Sequence, residues 1–107
     1  MLIVSNSWCP PGKVAELGKV YLEVMKKYPD DRSIAKTIVQ NALKARKNGV
    51  EVVGIVEPKP GKLEVALNRT QNTMIFYNDI VGFEYEIEVR FNVVEAMAMV
   101  GMKAPEG

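Results

Sequence analysis

The segment Ser7-Trp8-Cys9-Pro10-Pro11-Gly12-Lys13 sets the only cysteine of the chain between an apolar run, Leu2 to Val4, and the first turn of a helical pattern. A thiol at the N-terminal end of a helix gains thiolate character from the helix dipole, and the thiolate is the nucleophilic form. Gly12 occupies the position where a dithiol centre carries its resolving cysteine. Cys9 is therefore limited to monothiol exchange with a small thiol such as glutathione. Against that chemistry stands a simpler role, a small apolar residue at a strand end, and the simpler role outweighs it.

Other side chains carry binding or acid-base chemistry. In Phe83-Glu84-Tyr85-Glu86-Ile87-Glu88-Val89-Arg90-Phe91, strict alternation points Glu84, Glu86 and Glu88 the same way, a carboxylate row suited to a hard cation or to acid-base work. Such a row is more commonly a solvated or ion-paired strand face. Tyr21, Tyr28, Tyr77 and Tyr85 have hydroxyls that can donate to a ligand, although each falls on an apolar stripe where packing explains it. Met97, Met99 and Met102 offer an adaptable contact surface or fill gaps in a core.

Histidine is absent from the chain. That removes Ser-His and Cys-His catalytic pairs, HExxH zinc sites and histidine haem ligation. No GxGxxG or GxxxxGK[ST] phosphate cradle occurs either. Catalysis would fall to carboxylates, lysine, tyrosine, Cys9 or a bound cofactor.

These groups need elements to position them. Leu2 to Val4 starts a strand, and Pro10-Pro11 stops it while presetting a helix. Val14, Leu17, Val20, Tyr21, Val24 and Tyr28 recur at helical spacing until Pro29-Asp30-Asp31. Ser33 to Arg46 reads two ways. As a helix it has Ser33 as N-cap, an apolar face and Gly49 as a stop. As a strand it carries Thr37, Val39, Asn41, Leu43 and Ala45 on one face, with Lys36, Ile38, Gln40, Ala42, Lys44 and Arg46 on the other. Asn48-Gly49 then forms a hairpin turn into the strand Val50 to Val56. The strand is chosen because it completes a β-α-β-β-α-β order. A second helix follows Pro60-Gly61 with Leu63, Ala66, Leu67, Thr70, Met74 and Tyr77 inward. Phe83 to Phe91 is a strand, and Asn92 with Glu95 caps a short helix that Gly101 ends. The tail, Lys103 to Gly107, carries no element.

Length and charge bound the rest. A chain of 107 residues, 48% hydrophobic and 25% charged, is one soluble domain spanning 1–107. A net charge of +1 gives no field for nucleic acid or an anionic membrane. No apolar run is long enough to span a bilayer, and one cysteine fits a reducing, cytoplasmic setting.

The order of elements, the lysine- and glutamate-rich first helix after SWCPPGK, the hairpin KARKNGVEVVGIVE, the helix opening PGKLEVAL and the segment DIVGFEYEIEV resemble small uncharacterised proteins of the ferredoxin-like, dimeric α/β-barrel superfamily. The resemblance spans nearly the whole chain. It implies a four-stranded antiparallel sheet with helices on one face, two sheets meeting face to face as a homodimer, and pockets between sheet and helices. The superfamily includes cofactor-free monooxygenases, haem enzymes, ligand sensors and proteins without known activity, so fold leaves function open. Asn6 and Trp8 resemble the asparagine and tryptophan used by some of its cofactor-free monooxygenases, whose usual histidine companion is missing here. SWCPPG also resembles a thioredoxin-type redox centre, but no Thr-Val-Pro-like segment supplies the cis-proline that such folds place beside the thiol.

The expectation is thus an α+β, ferredoxin-like domain with a short C-terminal helix, paired as a dimeric α/β barrel. Its expected function is small-ligand binding or a cofactor-independent activity in the pocket between sheet and helices, with no metal and no cofactor. Asn6, Trp8, Cys9, Tyr21, Tyr77 and Tyr85 are the pocket or reactive candidates. Lys36, Lys44 and Arg46 are expected to meet Glu84, Glu86 and Glu88 at the interface, where Ile3, Ile38, Val53 and Ile55 add apolar area. The alternatives are a monothiol oxidoreductase using Cys9 and a structural or interaction module without ligand.

Overall fold

The strand begun at Leu2 does not stop at Val4 but runs through the SWC segment to Cys9 (β1, Leu2–Cys9). Ser5, Asn6 and Ser7 are accepted because both neighbours of this central strand pair with them, and Pro10, which has no N–H for the ladder, ends it. The two prolines do not open the helix. They shape a turn with Gly12 at φ 82°, and α1 spans Val14–Lys27, burying Leu17 and Val24. Cys9 is consequently separated from the helix N-terminus by Pro10 to Lys13.

The ambiguous segment is a strand, β2 (Ala35–Arg46), paired with β3 (Gly49–Pro58). The turn lies one residue earlier than Asn48-Gly49: Lys47 and Asn48 make it, and Gly49 opens β3 at φ 124°. Simple alternation along β2 also fails, because the register shifts between Thr37 and Val39 and again between Val39 and Ala42. Each bulge inserts one residue, so side-chain parity is reversed between them and restored after them. Val39 therefore shares the face of Ile55, while Lys36 and Lys44 stand opposite Glu57 and Glu51 as strict alternation would place them.

Past the Pro60-Gly61 turn, α2 (Leu63–Ile75) buries Ala66 and Met74, and a single 3-10 turn, Phe76–Asp79, carries Tyr77. The final strand, β4, is Glu84–Arg90; Phe83 precedes it and Phe91 follows it. A short helix, α3 (Val93–Met99), opens with a reciprocal bond between Asn92 and Glu95. The computed structural model describes residues 1–105, so of the tail Glu106 and Gly107 lie outside the described residues.

The result is α+β: one antiparallel sheet of four strands in the order β2-β3-β1-β4, with three helices, compatible with a ferredoxin-like fold. Residues paired across the sheet share a face. Ile3, Ser5, Ser7 and Cys9 on β1 line up with Val56, Gly54, Val52 and Val50 on β3, and the first three with Val89, Ile87 and Tyr85 on β4. This is the helix face, where Cys9, Leu17, Val24, Met74, Tyr77 and Ile80 form the core with Phe83, Tyr85 and Ile87 packed against them. Ile3, expected on the other face, is on this one and only 1% exposed. The helices stop short of the end of β4, leaving Val89 and Phe91 uncovered on the face they were expected to bury. The opposite, open face carries Leu2, Val4, Asn6 and Trp8, with Val53 and Ile55, and the glutamates of β4. Among the described residues no helix is long and apolar enough to cross a membrane.

Candidate functional site: a polar recess between sheet and helices

Gly54 sits in the middle of β3, opposite Ser5, where a side chain would point toward the helices. A Cβ built there would stand 3.0 Å from both the Asn41 Oδ1 and the Ser5 Oγ. Asn41 reaches this point because its backbone adopts φ 56°, the sole positive φ among the described non-glycine residues. Asparagine tolerates that left-handed conformation better than other residues with a Cβ. The β2 bulges thus turn an amide side chain inward over a glycine, and a recess opens between two polar groups.

The recess is the floor of a pocket of about 190 Å³ enclosed by β2, β3, α1 and α2. Ile3, Val24, Val56 and Met74 give apolar wall; Thr70 and Thr73 on α2 give hydroxyls. Those hydroxyls already donate, Thr70 to the Ala66 carbonyl at 2.9 Å and Thr73 to that of Thr70 at 2.7 Å, and the Ser5 Oγ donates to the Gly54 carbonyl at 3.4 Å. At the mouth the Arg69 guanidinium donates to the Pro29 carbonyl and lies 5.5 Å from the Tyr28 ring centre. Asp31, also at the mouth, accepts from the side chain and backbone of Ser33, which holds its carboxyl below the usual range.

Tyr77 and Tyr21 both line this pocket. Tyr77 is 8% exposed, its ring stacked on Phe83 with centroids 5.1 Å apart. Burial, and secondarily the nearby Tyr21, push its pKa up to about 12, so its hydroxyl stays protonated. Tyr85 lies elsewhere: its hydroxyl accepts from the Gln71 amide at 2.8 Å and its ring packs toward Phe83. Asn6 and Trp8 are on the open face, away from the pocket, in register with Glu86 and Glu84.

Cys9 is on the helix face but outside the pocket lining, and 2% exposed. Its Sγ donates to the Pro10 carbonyl at 3.7 Å. Burial raises the thiol pKa, Glu16 raises it further, and Lys13 opposes them only in part. Cys9 packs with Leu17 of α1, but burial and the Glu16 carboxylate in the first turn outweigh Lys13 in their effect on its thiol. The site favours a neutral packing thiol.

The row Glu84, Glu86 and Glu88 keeps its common face, with successive carboxylates about 7 Å apart along the strand. Glu88 is bound by Arg90 at 2.6 Å. Among the described residues no three His, Cys, Asp or Glu side chains converge as a metal site. Lys36, Lys44 and Arg46 lie on the far edge of the sheet from that row, with Arg46 paired to Glu51 at 3.5 Å. Arg46 nevertheless lines one cavity of about 420 Å³ with Trp8, Cys9, Glu84 and Glu86, although no ion pair joins the two rows among the described residues.

Sequence reasoning named Tyr21 and Tyr77 as pocket candidates but missed Ser5, Asn41 and Gly54. Signals existed for Gly54 and Asn41, none for Ser5. An isolated glycine inside a strand marks close approach or a bulge, and an asparagine inside a strand is unfavourable unless its backbone is unusual. Comparison with protein-family models, with curated proteins and with solved structures gives no match.

Proposed function

We propose that the protein is a homodimeric small-ligand-binding protein of the ferredoxin-like, dimeric α/β-barrel kind, with its ligand held in the recess over Gly54. The observation that carries this reading is the Asn41 backbone. A left-handed conformation between two bulges is unfavourable for a strand, and here it aims an amide at a floor that only glycine leaves open. The pocket volume of about 190 Å³ lies below the roughly 300–1,000 Å³ of drug-sized sites, which favours a small metabolite.

The homodimer rests on the open face of the sheet. α1 and α2 cover the other side, and on the open face Leu2, Trp8, Val53 and Ile55 are left only half-buried around the buried Val4. The radius of gyration of 15.5 Å exceeds the ~13 Å typical of a chain of this length, because β2 and α3 extend beyond the packed core. A second copy would cover the open face while leaving the recess, on the helix side, accessible.

The test is thermal denaturation of wild type and Gly54→Val in the presence of a panel of small metabolites. A ligand of the recess raises the wild-type midpoint in proportion to its occupancy and leaves the variant unshifted. A panel that shifts both proteins equally, or neither, overturns the reading.

A further inference from the structure

Resting on the reading of the recess as a ligand site, we propose that its ligand is an uncharged carbonyl compound whose oxygen accepts a hydrogen bond from the Tyr77 hydroxyl. Tyr77 is more than nine-tenths buried, its hydroxyl lies near Tyr21 of the same pocket lining, and it has no hydrogen-bond partner among the described residues. Yet no side-chain nitrogen or oxygen among those residues is sealed off without a partner. The hydroxyl therefore opens onto free space, and the space beside Tyr77 is the pocket.

A hydroxyl on a largely buried ring that faces the pocket without a protein acceptor is a donor that a ligand acceptor can engage. The chemistry of the walls narrows what that partner is. Thr70, Thr73 and Ser5 have already committed their hydroxyl protons to backbone carbonyls, so of the open donors in the lining Tyr77 is the most buried, the Asn41 amide and Tyr21 hydroxyl being only half-buried. Protonated at neutral pH, it has a proton to donate to an acceptor in the pocket.

Charge on the ligand is disfavoured. Ile3, Val24, Val56 and Met74 offer an ion nothing in exchange for its hydration, and Asp30 and Asp31 at the mouth repel an anion. Arg69, the cation of the lining, turns its guanidinium to the Pro29 carbonyl and the Tyr28 ring. What remains is a neutral molecule with an apolar body and a carbonyl acceptor, of a size set by the volume of about 190 Å³. A single substituted ring fits that description.

Ligand-observed fluorine NMR with three probes tests this: 4-fluoroacetophenone, 4-fluoroethylbenzene, which lacks the carbonyl, and 4-fluorobenzoate, which carries a charge. Wild type is expected to bind the ketone roughly 3- to 10-fold more tightly than the hydrocarbon, the worth of one hydrogen bond, and to bind benzoate most weakly. Tyr77→Phe is expected to equalise ketone and hydrocarbon without weakening the hydrocarbon. Equal binding of ketone and hydrocarbon to wild type overturns the inference, and needs no variant to do so. A ketone preference that survives in Tyr77→Phe overturns it as well, as does tighter binding of benzoate. If the hydrocarbon still binds wild type and is lost in Gly54→Val, the recess remains a ligand site and only its assigned chemistry falls. No binding of any probe up to millimolar concentration overturns both.

Discussion

The Cα of Gly49 faces the carbonyl of Cys9 so closely that an added Cβ would stand 1.9 Å from the oxygen. This contact ties the β2–β3 hairpin to the end of β1, and φ 124° at Gly49 is a conformation that side-chain-bearing residues avoid. Gly49→Ala is therefore expected to lose at least about 3 kcal/mol from strain and overpacking together. Urea denaturation checks this: a midpoint within experimental error of wild type would contradict the contact.

Tyr77 sets the response to alkaline pH. Its pKa rises from 10.0 in the unfolded chain to about 12 in the fold, so the unfolded state gives up its proton first as pH increases. Stability from this group is complete below pH 10 and declines through pH 12, by an amount on the order of 2–3 kcal/mol. Cys9, also raised, adds a decline beginning near its ordinary value of 9.0. Tyr77→Phe removes the upper part of the decline and is expected to leave neutral-pH stability unchanged or slightly higher, since its hydroxyl bonds to nothing among the described residues. Denaturation midpoints of both proteins between pH 8 and 12 test the difference.

Most of the fold was legible because patterns on different scales agreed. Alternation from Phe83 to Phe91, the Asn92/Glu95 cap and the Pro-Gly turn before Leu63 each marked an element that is present. Local propensity favours a helix between Ser33 and Arg46, and the pairing with β3 overrides it. Bulges were invisible for the same reason that they matter. They depend on how β2 meets β3, and no periodicity within β2 encodes a residue that pairs with nothing. The recess stayed hidden with them, since Asn41 and Gly54 become neighbours only once the bulged register is known.

Asn41 offers a direct test of that register. In a helix or an ordinary strand, Asn41→Ala would be harmless or stabilising. At φ 56° it is expected to cost roughly 1–2 kcal/mol, whereas Asn41→Gly, free of that strain, should retain wild-type stability. Thermal melts of the two variants give the ranking, and alanine above glycine would contradict the left-handed backbone.

The thiol of Cys9 should behave as a core atom. With 2% exposure and a raised pKa, it is expected to react with iodoacetamide at neutral pH only at the rate of unfolding, and fully in concentrated urea. Cys9→Ser should keep the fold and show the same, negligible, glutathione-dependent reductase activity as wild type. Rapid labelling of the folded protein below pH 8 would restore the case for a redox thiol.

The charge pattern of the open face makes the proposed dimer specific enough to test at single pairs. Lys44 is in register with Glu51, Glu51 with Trp8, and Trp8 with Glu84, so these four residues form one row across the whole sheet. Its ends are three strand spacings apart, about 14 Å, too far to pair within a chain. If two sheets stack about a two-fold axis parallel to the strands, the row is reversed in the partner and each Lys44 comes over a Glu84. An axis perpendicular to the strands would instead set β2 over β2 and β4 over β4, with like charges opposed. Electrostatics thus selects the first arrangement. Glu84→Lys and Lys44→Glu are each expected to weaken the dimer, with each half-exposed pair worth about 0.2–1 kcal/mol and two pairs lost by symmetry. The double variant should recover much of the loss. Glu86 is in register with Asn6, Val53 and Ala42, so its reversal meets no lysine at its level and should weaken the dimer less. Sedimentation over a concentration series measures all four variants, and a wild-type chain that stays monomeric at high micromolar concentration would end the dimer proposal.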